Sequence, residues 1–189
     1  MKWIIFGIGA AILAVGAVAG VLRLSCGKYT KTDLTDSIDG GVVKRNDGAD
    51  FPKAVVSKEI TSFEFVSSLI AYADETRLER GVYTLTATVE DGVVKGSYKC
   101  GTRGGDSRSF AFESDLSFMD KLYETVAKYD FAKYNGCVHT VSGLPNMYGA
   151  RLDILFASDE SIYSHDNQNN FLPIEATEEL EALFSAYCK

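Results

Sequence analysis

Apolar and polar residues alternate along several stretches of this chain, which is the pattern of strands with one buried face. The clearest stretch is residues 83–90, where Tyr, Leu, Ala and Val positions alternate with Thr and Glu. Asp91-Gly92 follows, a dipeptide typical of tight hairpin turns, and residues 93–99 return with the same alternation. The pattern therefore predicts an antiparallel hairpin. Shorter alternating stretches predict further strands at residues 60–65, 109–113, 150–156 and 161–164.

Two segments instead carry apolar residues at helical spacing. The first follows Asp115, a suitable N-cap, and runs to Tyr129; the second begins near Pro173 or Ile174 and runs to Tyr187. Hairpin-linked strands imply an antiparallel sheet, and helices with one apolar side imply that both cover a single face. The predicted fold class is α+β: an antiparallel sheet of about five to six strands with two amphipathic helices packed on one face, behind an N-terminal hydrophobic helix.

Residues 3–22 form a run without any charged side chain. That length is about what a helix needs to cross a hydrocarbon core of roughly 30 Å. The run predicts either a single-pass membrane anchor or a segment that directs export. Lys2 and Arg23 bracket it, as expected of an anchor. A membrane partner is therefore predicted through residues 3–22.

Two processed forms of this segment are also compatible with the sequence. Residues 17–19 read Ala-Val-Ala, which fits a cleaved secretory signal with cleavage before Gly20. Cys26 after Leu24-Ser25 resembles the end of a lipoprotein signal, although Arg23 stands where an aliphatic residue is expected. The anchored, cleaved and lipidated forms remain alternatives, and Cys26 is the candidate lipidation site.

Charge alone gives an ambiguous orientation. Arg23, Lys28 and Lys31 would keep the following residues in the cytoplasm by the positive-inside rule. The short basic start and the Ala-Val-Ala motif favour export, so the predicted location is the cell membrane, with the domain facing outside the cytoplasm. The predicted organisation is a signal or anchor segment at 1–26, a polar linker at 27–52 and one α+β domain at 53–189.

The formal net charge of −7 and a pI near 4.9 exclude a nucleic-acid partner, because binding phosphates requires a clustered basic face. The cysteines Cys26, Cys100, Cys137 and Cys188 lack C-x-x-C spacing, so a zinc ribbon or thioredoxin-type site is not supported. A bridge between Cys100 and Cys137 and burial as free thiols both remain open. No metal site and no cofactor are predicted.

The candidate chemistry begins with His165-Asp166, the nearest approach to an acid–base pair. Adjacent residues on a strand point to opposite faces, so the two are not expected to cooperate. Residues 167–170 read Asn-Gln-Asn-Asn, which suits binding of a sugar or peptide backbone and equally suits a turn capped by its own side chains. Arg151 and Asp153 share one face of a strand and could contact a ligand, or form an ordinary exposed ion pair. The candidate binding residues are Tyr148, Arg151, Asp153, His165, Asp166, Asn167 and Asn169.

Several short motifs carry a family resemblance. They are Ile-Thr-Ser-Phe-Glu-Phe at residues 60–65, Tyr-Asn-Gly at 134–136, Gly-Leu-Pro with Tyr-Gly-Ala across 143–150, and Ser-Ile-Tyr at 161–163 before Asp166-Asn167. Over residues 58–187 the chain resembles an uncharacterised domain of membrane-anchored or secreted proteins of Gram-positive bacteria. The resemblance implies a location and no activity.

Two functional hypotheses follow. The first is a non-enzymatic binding or interaction module for a protein, peptide or glycan, which uses the open sheet face or the loops at 143–148 and 166–170. An exposed aromatic patch with Tyr98, Tyr148 or Tyr163 would mark it. The alternative is an envelope-associated hydrolase that uses His165 or a carboxylate such as Asp106 or Asp153. It requires a pocket with at least two convergent titratable groups.

Overall fold

Among the residues that the computed structural model describes, nine strands form the sheet, and eight of them build its main body. The strands are β1 (Ser37–Ile38), β2 (Gly41–Asp47), β3 (Ile60–Ser68), β4 (Gly81–Glu90), β5 (Val93–Thr102), β6 (Ser107–Ser114), β7 (Cys137–Val141), β8 (Ala150–Phe156) and β9 (Ser161–Asp166). They lie in the order β1-β2-β7-β9-β8-β3-β4-β5-β6. The described residues are 37–38, 41–70, 76–102, 105, 107–143 and 148–188.

Within this part of the chain there are two α-helices, α1 (Ser117–Lys128) and α2 (Ile174–Ser185), and a short 3₁₀ turn, Phe131–Tyr134. Both helices pack on the same face of the sheet. The ring of Phe184 on α2 lies 5.9 Å from that of Phe63 on β3, and 5.0 Å from that of Phe118 on α1. Glu179 of α2 also accepts hydrogen bonds from Thr125 and Tyr129, which ties the helices together.

The β4–β5 hairpin is confirmed. Asp91 and Gly92 both have positive φ angles, 52° and 79°, as a tight turn of this kind requires. Ten register pairs join the strands without a shift. At Gly96 of β5 a Cβ atom would overlap the ring of Phe112 on β6, so the absent side chain leaves room for that ring to lie across the strand.

The predicted fold class is wrong in strand number and in sheet type. The sheet is mixed, because β7 and β9 pair in parallel while every other pair of strands is antiparallel. The strands β2 and β7 were not predicted, because they lack the alternation of apolar and polar residues that marks a strand with one buried face. All five residues of β7 are half-buried, and β2 is a polar strand near the sheet edge.

Residues 41–47, which the composition places in a linker, thus form a strand of the sheet. The predicted N-terminal hydrophobic helix, residues 3–22, lies outside the described residues, as does Cys26. In the part of the chain that the structure describes, neither helix combines the length and apolar character needed to span a bilayer.

Candidate functional site

The face of the sheet opposite the helices, here called the open face, carries a charged centre. Glu64 on β3 and Asp153 on β8 are register partners, and Arg151 lies two residues before Asp153. The Arg151 Nη2 atom is 3.7 Å from Glu64 Oε2 and 3.7 Å from Asp153 Oδ2. His165 on β9 is the register partner of Arg151. Three neighbouring strands therefore bring four ionisable side chains together on one face of the sheet.

Burial and charge shift the pKa of two of these groups. Desolvation raises the pKa of the Asp153 carboxyl, and the nearby Arg151 guanidinium partly opposes that shift. Desolvation also lowers the pKa of His165, and the positive charge of Arg151 acts in the same direction. His165 is accordingly neutral near pH 7, and its imidazole can donate one hydrogen bond and accept another.

Uncharged hydroxyl groups surround this centre on the β4 side. Thr86 is the register partner of Glu64, and its hydroxyl lies 2.7 Å from that of Ser97 on β5. Thr84 and Thr88 flank Thr86 on the same face by strand alternation. The open face thus offers hydrogen-bonding groups of both kinds over several strands, and such a surface suits polar recognition.

Asp166 points to the other face of the sheet, as strand alternation predicts for the residue after His165. It is 8% exposed, and its Oδ1 accepts hydrogen bonds from the backbone N–H groups of Gln168, at 2.8 Å, and Asn169, at 3.0 Å. The carboxylate therefore holds the turn that follows β9, on the face of the sheet opposite His165.

Asn167 is buried and joins the same turn to β7. Its Oδ1 accepts from the Val141 N–H, and its Nδ2 donates to the Val141 carbonyl, both at 2.9 Å. Asn169 also contributes to the turn, because its Nδ2 lies 3.4 Å from Asp166 Oδ2. These contacts are those of a turn capped by its own side chains.

The tyrosines do not form the expected aromatic patch through Tyr98. That residue is only 6% exposed on the helix-covered face, and its hydroxyl donates to Glu181 Oε1 at 3.0 Å. Tyr148 is 44% exposed just before β8, and Tyr163 is half-buried on β9. Tyr163 is the register partner of Asp153, so it belongs to the open face.

Sequence reasoning missed a second polar cluster, between β2 and β7. His139 Nε2 lies 3.1 Å from Asp47 Oδ1, and His139 Nδ1 lies 3.5 Å from Asp166 Oδ2. Lys53 Nζ donates to the Asn135 carbonyl at 2.6 Å and lies 3.8 Å from Cys137 Sγ. The spacing of Cys137 and His139 by two was visible, but Asp47 lay in a segment that read as a linker.

All three described cysteines are free thiols. Cys100 is on β5 and Cys137 is on β7, with β4, β3, β8 and β9 between them in the sheet. Four intervening strands place the two thiols far beyond the few ångströms that a disulfide can bridge. Of the two alternatives left open by the sequence, free thiols are the one observed.

Two shallow cavities lie away from the open-face centre. One of about 270 Å³ lies over Gly96 and is bordered by Lys95, Ala111, Phe112 and Glu113. The other, of about 210 Å³, lies between residues 53–55 and the end of α1. Neither is lined by His165 or Asp153. Within the described ranges there is also no group of three or more His, Cys, Asp or Glu residues suited to a metal ion.

The chain matches no family model, no curated protein and no solved structure. The resemblance to an uncharacterised Gram-positive domain therefore stays a prediction.

Proposed function

We propose that this protein is a non-enzymatic binding module that contacts a polar protein, peptide or glycan through the open face of its sheet. The observation that carries the proposal is the convergence of Glu64, Arg151, Asp153 and His165 on the side where no described helix packs. Charged and hydrogen-bonding groups spread over several strands suit contact with an extended partner.

The proposal includes a location. Residues 3–22 hold the module at the cell membrane, or direct its export, and the domain works outside the cytoplasm. Added protease should then digest the domain in intact cells. A domain that resists protease until the membrane is permeabilised, beside a sensitive surface protein, would contradict the orientation.

The position of the cavities bears on the choice between binding and hydrolysis. Acid–base catalysis needs a group within hydrogen-bond reach of a substrate held in a cleft. His165 and Asp153 stand on a surface that neither described cavity includes. The geometry gives no support to a hydrolase based on these two groups, and that alternative is not proposed.

Face-specific crosslinking in cells tests the binding proposal. A photo-reactive amino acid replaces Thr86, beside Glu64, and a matched variant carries it at Glu124, on the exposed side of α1. We expect discrete adducts from position 86 only, and their loss when Arg151→Ala is added. Equal adducts from both positions, or adducts that persist without the arginine, would contradict the proposal.

A further inference from the structure

β6 is an edge strand with a regular register over its whole length. All eight residues, Ser107–Ser114, pair with β5 without a shift. The strand contains no proline, and no described strand pairs with its other side. Natural edge strands commonly carry a proline, a bulge or charged side chains that prevent further pairing. Of these devices β6 has only its two charged residues, and both have a neighbour of opposite charge: Arg108 is paired with Glu79, and Glu113 lies opposite Lys95.

Apolar side chains follow the middle of this edge. Phe110 is 38% exposed and is the register partner of the buried Tyr98, so it projects on the helix-covered side. Phe112 projects on the same side, where its ring stacks on Tyr187 at 5.2 Å. The Phe112 ring lies over Gly96 of β5, so Phe110 is the exposed aromatic side chain at this edge.

One charge beside β6, that of Lys99, lacks an ion-pair partner among the described residues. On the open face, Lys95 is paired with Glu90 at 3.1 Å and is the register partner of Glu113, whereas no ion pair is formed by Lys99. Lys99 is the register partner of Ser109, whose side chain is short. An acceptor placed on the far side of Ser109 would therefore lie within reach of the lysine.

We propose that the edge of β6 is a docking site for a second copy of this chain. The two β6 strands pair antiparallel about a two-fold axis at Ala111, which joins the two sheets into one. This register places Phe110 of each copy opposite Phe112 of the other. It also places Ser109 opposite Glu113 of the second copy. Because Lys99 lies beside Ser109, its ammonium group comes within reach of that carboxylate.

The two-fold symmetry of this arrangement favours a second copy of the chain over a strand from an unrelated protein. A two-fold axis perpendicular to the sheet makes every contact occur twice, so an edge that carries both members of each pair complements itself. Lys99 with Glu113 is such a pair, and the exposed Phe110 of each copy would cover the strand at Phe112 of the other. Cross-strand aromatic and opposite-charge neighbours are the contacts that stabilise antiparallel strands.

Disulfide trapping in the full chain tests the proposal, with Cys26, Cys137 and Cys188 replaced by serine. Under mild oxidation we expect Ala111→Cys to form a covalent dimer as the main product. The axis would bring the Cα atoms of residue 111 in the two copies to a distance of about 5 Å, which a disulfide can bridge. Ser109→Cys is the matched control, because the offset of four residues would separate its two copies by roughly 13 Å. Combining Ser109→Cys with Glu113→Cys should restore the crosslink.

A second measurement does not depend on disulfides. Ala111→Lys places two like charges at the axis and should lower the dimer fraction in crosslinking with a lysine-independent reagent, while circular dichroism stays unchanged. Equal dimer from Ala111→Cys and Ser109→Cys, or trapping of a different protein at position 111, would overturn the proposal. These readouts concern β6 alone, so their failure leaves the proposed use of the open face untouched.

Discussion

The two faces of the sheet differ in chemistry although the same strands build both. On the covered face, Phe63, Phe118 and Phe184 are buried against one another. On the open face, Arg151 and Glu64 remain partly exposed at their ion-pair distance. Successive residues of a strand point to opposite sides, so one strand supplies both surfaces. The comparison assigns stability to the covered face and contact to the open one, and each assignment can be tested by substitution.

The largest effect should follow from truncation on the covered face. Phe184→Ala removes a fully buried ring that contacts both Phe63 and Phe118. We expect a loss of about 3–5 kcal/mol in the free energy of unfolding, measured by urea denaturation. Leu183→Ala, at a half-buried neighbouring position, is the control and should cost less. Equal losses would show that the ring cluster is not the main source of stability.

A smaller effect is expected at the turn after β9. Asn167→Ala leaves the N–H and C=O groups of Val141 without their side-chain partners. We expect a cost of about 1–3 kcal/mol, because partly buried backbone groups would lose two hydrogen bonds. Asn169→Ala, which removes only a 3.4 Å contact, is the control for the same denaturation curve. A cost no greater than that of the control would contradict the structural role of Asn167.

Substitution on the open face should leave the fold nearly unchanged. Arg151 is about half exposed and its two ion pairs are both long, at 3.7 Å. Arg151→Ala should therefore change the free energy of unfolding by about 1 kcal/mol or less, while it abolishes the crosslink from position 86. If Arg151→Ala lowered the free energy of unfolding as much as Phe184→Ala, the assignment of stability to the covered face alone would be wrong.

The smallest effect is a change in pH dependence. Burial lowers the pKa of His165 below its ordinary value of 6.5. The unfolded chain then binds the proton more readily, so this group removes stability as the pH falls from 6.5 to its folded pKa. We expect a shallower fall in melting temperature between pH 7.5 and 5 for His165→Gln than for the unaltered protein. Parallel curves would argue against the lowered pKa.

The elements that the sequence predicts well carry local signals. The β4–β5 hairpin follows from strict alternation around Asp91-Gly92, and α1 follows from apolar residues at helical spacing. β7 and β2 were missed because their burial depends on neighbours far away in the chain. The parallel pairing of β7 with β9 has no local signature, since it arises only when the sheet is assembled.

The candidate site was predicted in part for the same reason. Spacing by two places Arg151 and Asp153 on one side of a strand, and that much is local. Their meeting with Glu64 and His165 depends on the registers of β3 and β9 against β8, which no pattern within one strand specifies. The turn residue Asn167 reads as a ligand-binding amide in the sequence, and only its two bonds to Val141 reveal its structural use.

The pairing of β2 with β7 has a consequence for the order of events during synthesis. Asp47 and Cys137 face each other across these strands although 90 residues separate them. When β2 leaves the ribosome, its neighbour does not yet exist. A chain interrupted before residue 137 would leave β2 with only the two-residue strand β1 as a partner, so β2 joins the main sheet late.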